Sequence, residues 1–74
     1  MVAALQVVKR AIRSKDSGLW LTRDGQWTED FAHARHFENI ANAVFAALEL
    51  NVKSAEFVLR FDEKGYWDVA TDLF

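Results

Sequence analysis

Apolar and polar residues alternate in short bursts along most of this chain, and the pattern switches once to a helical period. In the first burst, about Leu5 to Arg13, the β-branched Val7, Val8 and Ile12 favour a strand. Leu5, Val8 and Ile12 also fit a helical stripe, so a helix over residues 2 to 12 is the rival reading. An obvious second strand tips the balance toward a hairpin. Lys15-Asp16-Ser17-Gly18 supplies the turn, with Gly18 free to take positive φ, and Leu19-Trp20-Leu21-Thr22 returns. Arg23-Asp24-Gly25-Gln26 then contains Asp-Gly, the strongest short hairpin signal, ahead of Trp27-Thr28. The pattern predicts a meander with a short third strand, and pairing of Trp20 with Trp27 across it would contribute roughly 0.2–1 kcal/mol.

Thr28 is placed to cap a brief turn starting at Glu29-Asp30. The main helix begins after Asn39, a good N-cap, and runs from Ile40 to Glu49, with Asn51 as its stop. Ile40, Val44 and Leu48, with Ala41 and Ala47 beside them, form one stripe at helical spacing. Phe37 can pack back on the first turn, and the many alanines let the helix lie close on a sheet. Beyond it, Glu56 to Asp62 reads as a strand with Phe57, Leu59 and Phe61 on one face and Val58 and Arg60 on the other. Asp62-Glu63-Lys64-Gly65 turns the chain back through Tyr66-Trp67-Asp68-Val69, and Leu73 and Phe74 in the tail are expected to be anchored. The expected fold is therefore one α+β domain over residues 1–74, an antiparallel sheet in β-β-β-α-β-β order packed on one alanine-rich helix.

Length tightens this picture. A chain of 74 residues buries only about 60% of its unfolded surface. It has no cysteine to add disulfides, thiolate metal ligands or a thiol nucleophile. Dense apolar packing or a partner chain must supply the stability, so a homodimer stays open. At the N-terminus the charges Lys9 and Arg10 follow the apolar stretch, which is too short for a signal peptide's hydrophobic region. No stretch reaches the length of a membrane span, and the expected location is the cytoplasm.

The net charge of −2 conceals a polarity. Residues 1 to 23 hold Lys9, Arg10, Arg13, Lys15 and Arg23 against Asp16, a balance of +4, while the remainder holds ten acids against four cations, a balance of −6. The basic hairpin could meet an anionic partner, with Trp20 or Trp27 stacking on a base or entering a groove. A pI near 5.5 argues against nucleic acid, because phosphate affinity grows with the number of cations. Chemistry finds little support. His33 and His36 stand three apart with Asp30 and Glu29 nearby, which is short of a zinc ligand set. The adjacent acids Glu29-Asp30 and Asp62-Glu63 lie in turns, and no serine sits in a Gly-x-Ser-x-Gly elbow. The three glycines are all turn residues, so no phosphate-cradling loop is present. Ten aromatics in so short a chain exceed what one small core readily hides, and those left outside would form a protein-binding patch.

The run Leu19-Trp20-Leu21-Thr22-Arg23-Asp24-Gly25-Gln26-Trp27-Thr28, followed by Ala34, Phe37, Asn39 and Ala43, resembles a pattern of short uncharacterised phage and prophage proteins over roughly residues 7 to 61. The resemblance implies a small protein of a mobile element or its bacterial host and no particular activity. A three-stranded sheet followed by a helix is also similar to the arm-binding domains of tyrosine integrases, from which this chain departs in its acidity and its later strands. Small acidic phage proteins further include inhibitors of host defence complexes, such as anti-CRISPR proteins. The reading that results is a non-enzymatic protein-binding module without metal or cofactor, acting through an aromatic and charged sheet surface. Lys9, Arg10, Arg13, Lys15, Trp20, Arg23 and Trp27 are its candidate binding residues. Nucleic-acid binding by the basic hairpin and inhibition of a host defence complex are the alternatives.

Overall fold

The computed structural model describes residues 9–61 and 67–73. Expectations for Leu5 to Val8, the turn Asp62 to Gly65, Tyr66 and Phe74 fall outside the described residues. The elements run β1 (Lys9–Ser14), β2 (Trp20–Leu21), β3 (Trp27–Thr28), a 3-10 turn (Phe31–His33), α1 (Ile40–Glu49), β4 (Ala55–Arg60) and β5 (Asp68–Asp72). All five strands join one antiparallel sheet in the order β3-β2-β1-β4-β5, with a single α-helix among the described residues. This is the expected small α+β arrangement. No helix among the described residues is long and apolar enough to cross a membrane.

The spine of the sheet is the pairing of β1 with β4, in which every residue from Lys9 to Ser14 has a partner between Arg60 and Ala55. Side chains alternate, so Ile12 and Phe57 face one side and Ala11 and Val58 the other. The β1–β2 connection is tied by Ser14, whose Oγ accepts the amides of Asp16 and Ser17 at 3.2 Å each, while Gly18 takes a φ of +74°. β1 and β2 then pair only at Arg13 and Trp20. Beyond that point they diverge, and the backbone of residues 34–37 fills the gap. Arg35 N donates to Leu21 O at 2.8 Å and Phe37 N to Arg10 O at 2.9 Å.

The second turn uses its Asp-Gly differently from a two-residue hairpin. Gly25 alone is left-handed, at φ +78°, and its amide closes back on Thr22 O, so Arg23-Asp24-Gly25 forms a three-residue loop. A side chain at Gly25 would be strained by that φ and would also meet Leu50 Cδ2 at 3.2 Å. The resulting register sets Trp20 against Thr28 and Leu21 against Trp27. Trp20 and Trp27 therefore lie on opposite faces, and the expected tryptophan pair does not form.

Both ends of α1 follow their sequence signals. Asn39 Oδ1 accepts the Asn42 amide at 2.9 Å. At the other end Asn51 adopts φ +57°, with Asn51 N donating to Leu48 O and Val52 N to Ala47 O, a complete Schellman motif. Orientation of the helix differs from expectation. It buries Ala43, Ala46 and Ala47 against Ile12, Leu21, Phe37, Ala55 and Phe57. Ile40 and Leu48 are largely exposed and Val44 only half-buried. Alanine wins the inward face because a methyl group brings the helix backbone nearest to a sheet already filled by Leu21, Phe37 and Phe57.

Among the described residues, Ile12, Leu21 and Val58 are the largest side chains buried essentially completely, so each carries a substantial part of the core. Leu21→Ala is expected to cost about 2–5 kcal/mol, against a total of about 4–11 kcal/mol for a chain of this length. Phe45→Ser on the outer surface of α1 should shift stability by less than about 0.5 kcal/mol. Urea denaturation of the two variants beside the wild type measures both.

Candidate functional site

The face of the sheet opposite α1 carries most of the charged and aromatic residues singled out from the sequence, and it is heavily cross-linked. Trp20 projects there from β2 and is 7% exposed. The 3-10 turn folds over it because Asp30 caps that turn, its Oδ1 accepting the Ala32 amide at 2.9 Å. This sets Phe31 edge-on to Trp20, with ring centroids 4.8 Å apart. Ala11, Ala34 and Val58 complete this second, smaller apolar cluster.

Arg60 threads between the aromatic rings and the edge of the sheet. Its guanidinium lies 3.7 Å from the Phe31 centroid and 5.4 Å from that of Trp20. Its Nε and Nη2 donate to the two carboxylate oxygens of Asp68 at 3.0 and 2.9 Å. Arg13 also lies over Trp20, 5.3 Å from its ring centroid, and donates from Nε to Glu56 Oε1 at 2.7 Å. Lys15 Nζ sits 3.0 Å from Asp72 Oδ1. The pairings follow from register: Arg60 stands opposite Asp68 and Arg13 opposite Glu56, which itself stands opposite Asp72.

The candidate binding residues are consequently dispersed. Arg13 and Lys15 are engaged by acids of β4 and β5, and Trp20 is core. Lys9 shares the Arg13 face, whereas Arg10 turns toward the helix side, half-buried. Arg23 is exposed in the second turn, and Trp27, 39% exposed, lies on the helix side of β3. The basic hairpin thus forms no continuous cationic surface. Two of its five cations, Arg13 and Lys15, are engaged by acids of neighbouring strands.

The histidines also separate. His33 Nδ1 lies 3.0 Å from Asp30 Oδ2, while His36 leans on Phe31 at 5.4 Å between centroids. No group of three His, Cys, Asp or Glu side chains able to hold a metal ion occurs among the described residues. Burial, followed by the positive charges of Lys9 and Arg23, lowers the His36 pKa from its ordinary 6.5. A cleft of about 640 Å³ runs past Arg23, Trp27, Thr28, His33 and His36. It is wide and open, with polar and apolar lining in nearly equal parts, unlike the concave and largely apolar sites that enclose small molecules.

Apolar exposure is concentrated instead on α1 and along the sheet edge. Phe45 is 64% exposed and Leu48 59%, with Ile40 and Leu50 close behind. On the helical wheel only Asn42 and Glu49 interrupt an otherwise apolar circumference. Sequence reasoning missed this surface because it turned the Ile40-Val44-Leu48 stripe inward. The available signal was the tighter cluster Ala43-Ala46-Ala47, a separate face of small residues at helical spacing.

Two outcomes test the cross-linked face. Arg60→Ala should cost about 1.5–3 kcal/mol, the range for hydrogen bonds to charged groups. Arg60→Lys should recover little of it, since an ammonium cannot make the planar two-point contact. Thermal or urea unfolding reads both. For His36, a proton-NMR titration should give a midpoint below 6.5 that rises in Lys9→Gln. Because the folded-state pKa is the lower one, stability should be flat above pH 6.5 and fall as the pH drops from there through the folded-state pKa; His36→Gln should reduce that fall. Comparison with protein-family models, curated proteins and solved structures finds no match to this chain.

Proposed function

We propose that this chain is a small non-enzymatic protein-binding module whose contact surface is the outer side of α1. The observation that carries the reading is the inverted helix. Its alanines face the sheet, and Ile40, Phe45 and Leu48 are left 47–64% exposed. A large apolar side chain held in water gains about 25 cal/mol per Å² on being covered, and contiguous patches of this kind mark interaction sites. Rigid support adds to the case. The helix is capped at both ends and packed on the strands, so little ordering is needed when a partner binds.

The charged residues support the same reading by what they already do. Arg13, Arg60, Glu56 and Asp68 hold one another across the sheet, and Asp30 holds His33. Dispersal of the basic residues favours a protein over a nucleic acid as partner. The aromatic surface first assigned to the sheet moves, on this reading, to Phe45 and its neighbours on the helix.

Tagged wild type and Phe45→Glu are compared in affinity capture from the source cell. A specific partner should be retained by the wild type and lost, with at least a tenfold drop in affinity, by Phe45→Glu at unchanged melting temperature. Equal capture by both proteins would remove the helix surface from consideration.

A further inference from the structure

The two edges of the sheet are built differently. β3 is only two residues long, which blunts its edge. β5 is five residues long, and residues 68–72 contain no proline, lysine or bulge. Its free hydrogen-bonding groups can be identified. Trp67 O accepts from Phe61 N, and Leu73 N donates to Ala55 O, so the odd-numbered residues bond to β4. Asp68, Ala70 and Asp72 therefore direct their N–H and C=O groups outward, with no strand beside them among the described residues. Arg60 and Lys15 of the same chain reduce, without cancelling, the negative charge that Asp68 and Asp72 present at this edge.

We infer that β5 pairs antiparallel with β5 of a second copy of this chain, joining two five-stranded sheets into one of ten strands about a two-fold axis at Val69. This surface is distinct from the outer side of α1. The register is selected by charge. Centred on Ala70, the pairing would set Asp68 against Asp72 of the other copy, like charges directly opposite. Centred on Val69, it sets Asp68 against the other copy's Ala70 and Trp67 against its Thr71, and the two Val69 side chains meet in a close, non-hydrogen-bonded pair. Asp68 and Ala70 of each chain then exchange four backbone hydrogen bonds across the axis.

Shape points to the same occupant. Asn42, Phe45 and Glu49 share a cleft with Arg35 to Glu38, beside β2. The opposite flank of α1, with Ile40 and Val44, therefore overlooks β4 and β5. Val69 lies on this side of the sheet, 51% exposed, as the neighbour of Leu59. With the helix over β1 and strands about 4.8 Å apart, the helices of two paired copies would stand about 24 Å apart. That leaves a trough of about 12 Å between helices of ordinary thickness. The two Trp67 side chains, next to the paired strands and 64% exposed, are the groups that fill it. Each withdraws roughly 100–160 Å² from water, on the scale of a buried aromatic. Strand pairing over about 17 Å, with the Trp67–Val69 shelf added, stays below the roughly 800 Å² per partner of a standard stable interface, so the dimer belongs to the weaker class that forms at micromolar concentration and above.

Sedimentation equilibrium of the full chain from 1 to 500 µM, with wild type, Val69→Lys, Trp67→Ala and Phe45→Glu, tests the inference. The wild type should reach twice the 8.5 kDa of the single chain. Val69→Lys and Trp67→Ala should each raise the dimer dissociation constant at least tenfold while circular dichroism stays unchanged, and Phe45→Glu should leave it within twofold. A wild type that remains monomeric throughout, or that dimerises with equal strength in Val69→Lys, overturns the β5 dimer. So does loss of dimer in Phe45→Glu alone, or a monomer that takes an extended peptide of another protein on β5. A monomer that still captures its partner through Phe45 refutes the dimer and leaves the binding module standing. A β5 dimer with no Phe45-dependent partner does the reverse.

Discussion

Where β1 meets β4, six consecutive residues of each strand stand in register, and both faces of the molecule follow from that alignment. Side chains alternate with a period of two, so Ile12 and Phe57 are sent together toward α1 while Ala11 and Val58 go to the far side. The same register brings Arg13 to Glu56, and the β4–β5 register brings Arg60 to Asp68. A slip of β1 by one residue would place Arg13 under the helix and move Ile12 to the far face, leaving Glu56 without its partner. The apolar cost of that exchange, with the charge burial beside it, is what holds the pairing in place.

The two faces solve the problem of a short chain in different ways. On the helix side, alanines let α1 approach the sheet, and the larger residues Leu21, Phe37 and Phe57 fill the space from below. On the other side no helix stands among the described residues, and the 3-10 turn lowers Phe31 onto Trp20. Arg60 then serves as a wall of that cluster as much as an ion, because its guanidinium stacks on Phe31 while its nitrogens bind Asp68. Such a design stabilises a small sheet without a large core. Its consequence is that the big apolar side chains of α1 and of the β5 edge remain outside, and these are the surfaces through which contact with other chains is inferred.

Local signals in the sequence were sufficient for most of the framework. Gly18, Gly25, Asn39 and Asn51 act through their own backbone conformation or a side chain reaching two or three residues along. The element order was therefore legible, as was the alternation of Phe57 and Leu59 against Val58 and Arg60. What the sequence could not decide was anything set by distance across the fold. The three-residue form of the second turn moved Trp27 to the opposite face from Trp20, and the divergence of β1 from β2 admitted residues 34–37 between them. The side that α1 buries was decided by the room left above Leu21 and Phe37, where methyl groups fit and larger side chains do not. The basic hairpin read as a cluster because its charges are close along the chain. Only the tertiary structure set acids of β4 and β5 beside Arg13 and Lys15, since those partners lie more than forty residues away and reach them solely through strand pairing.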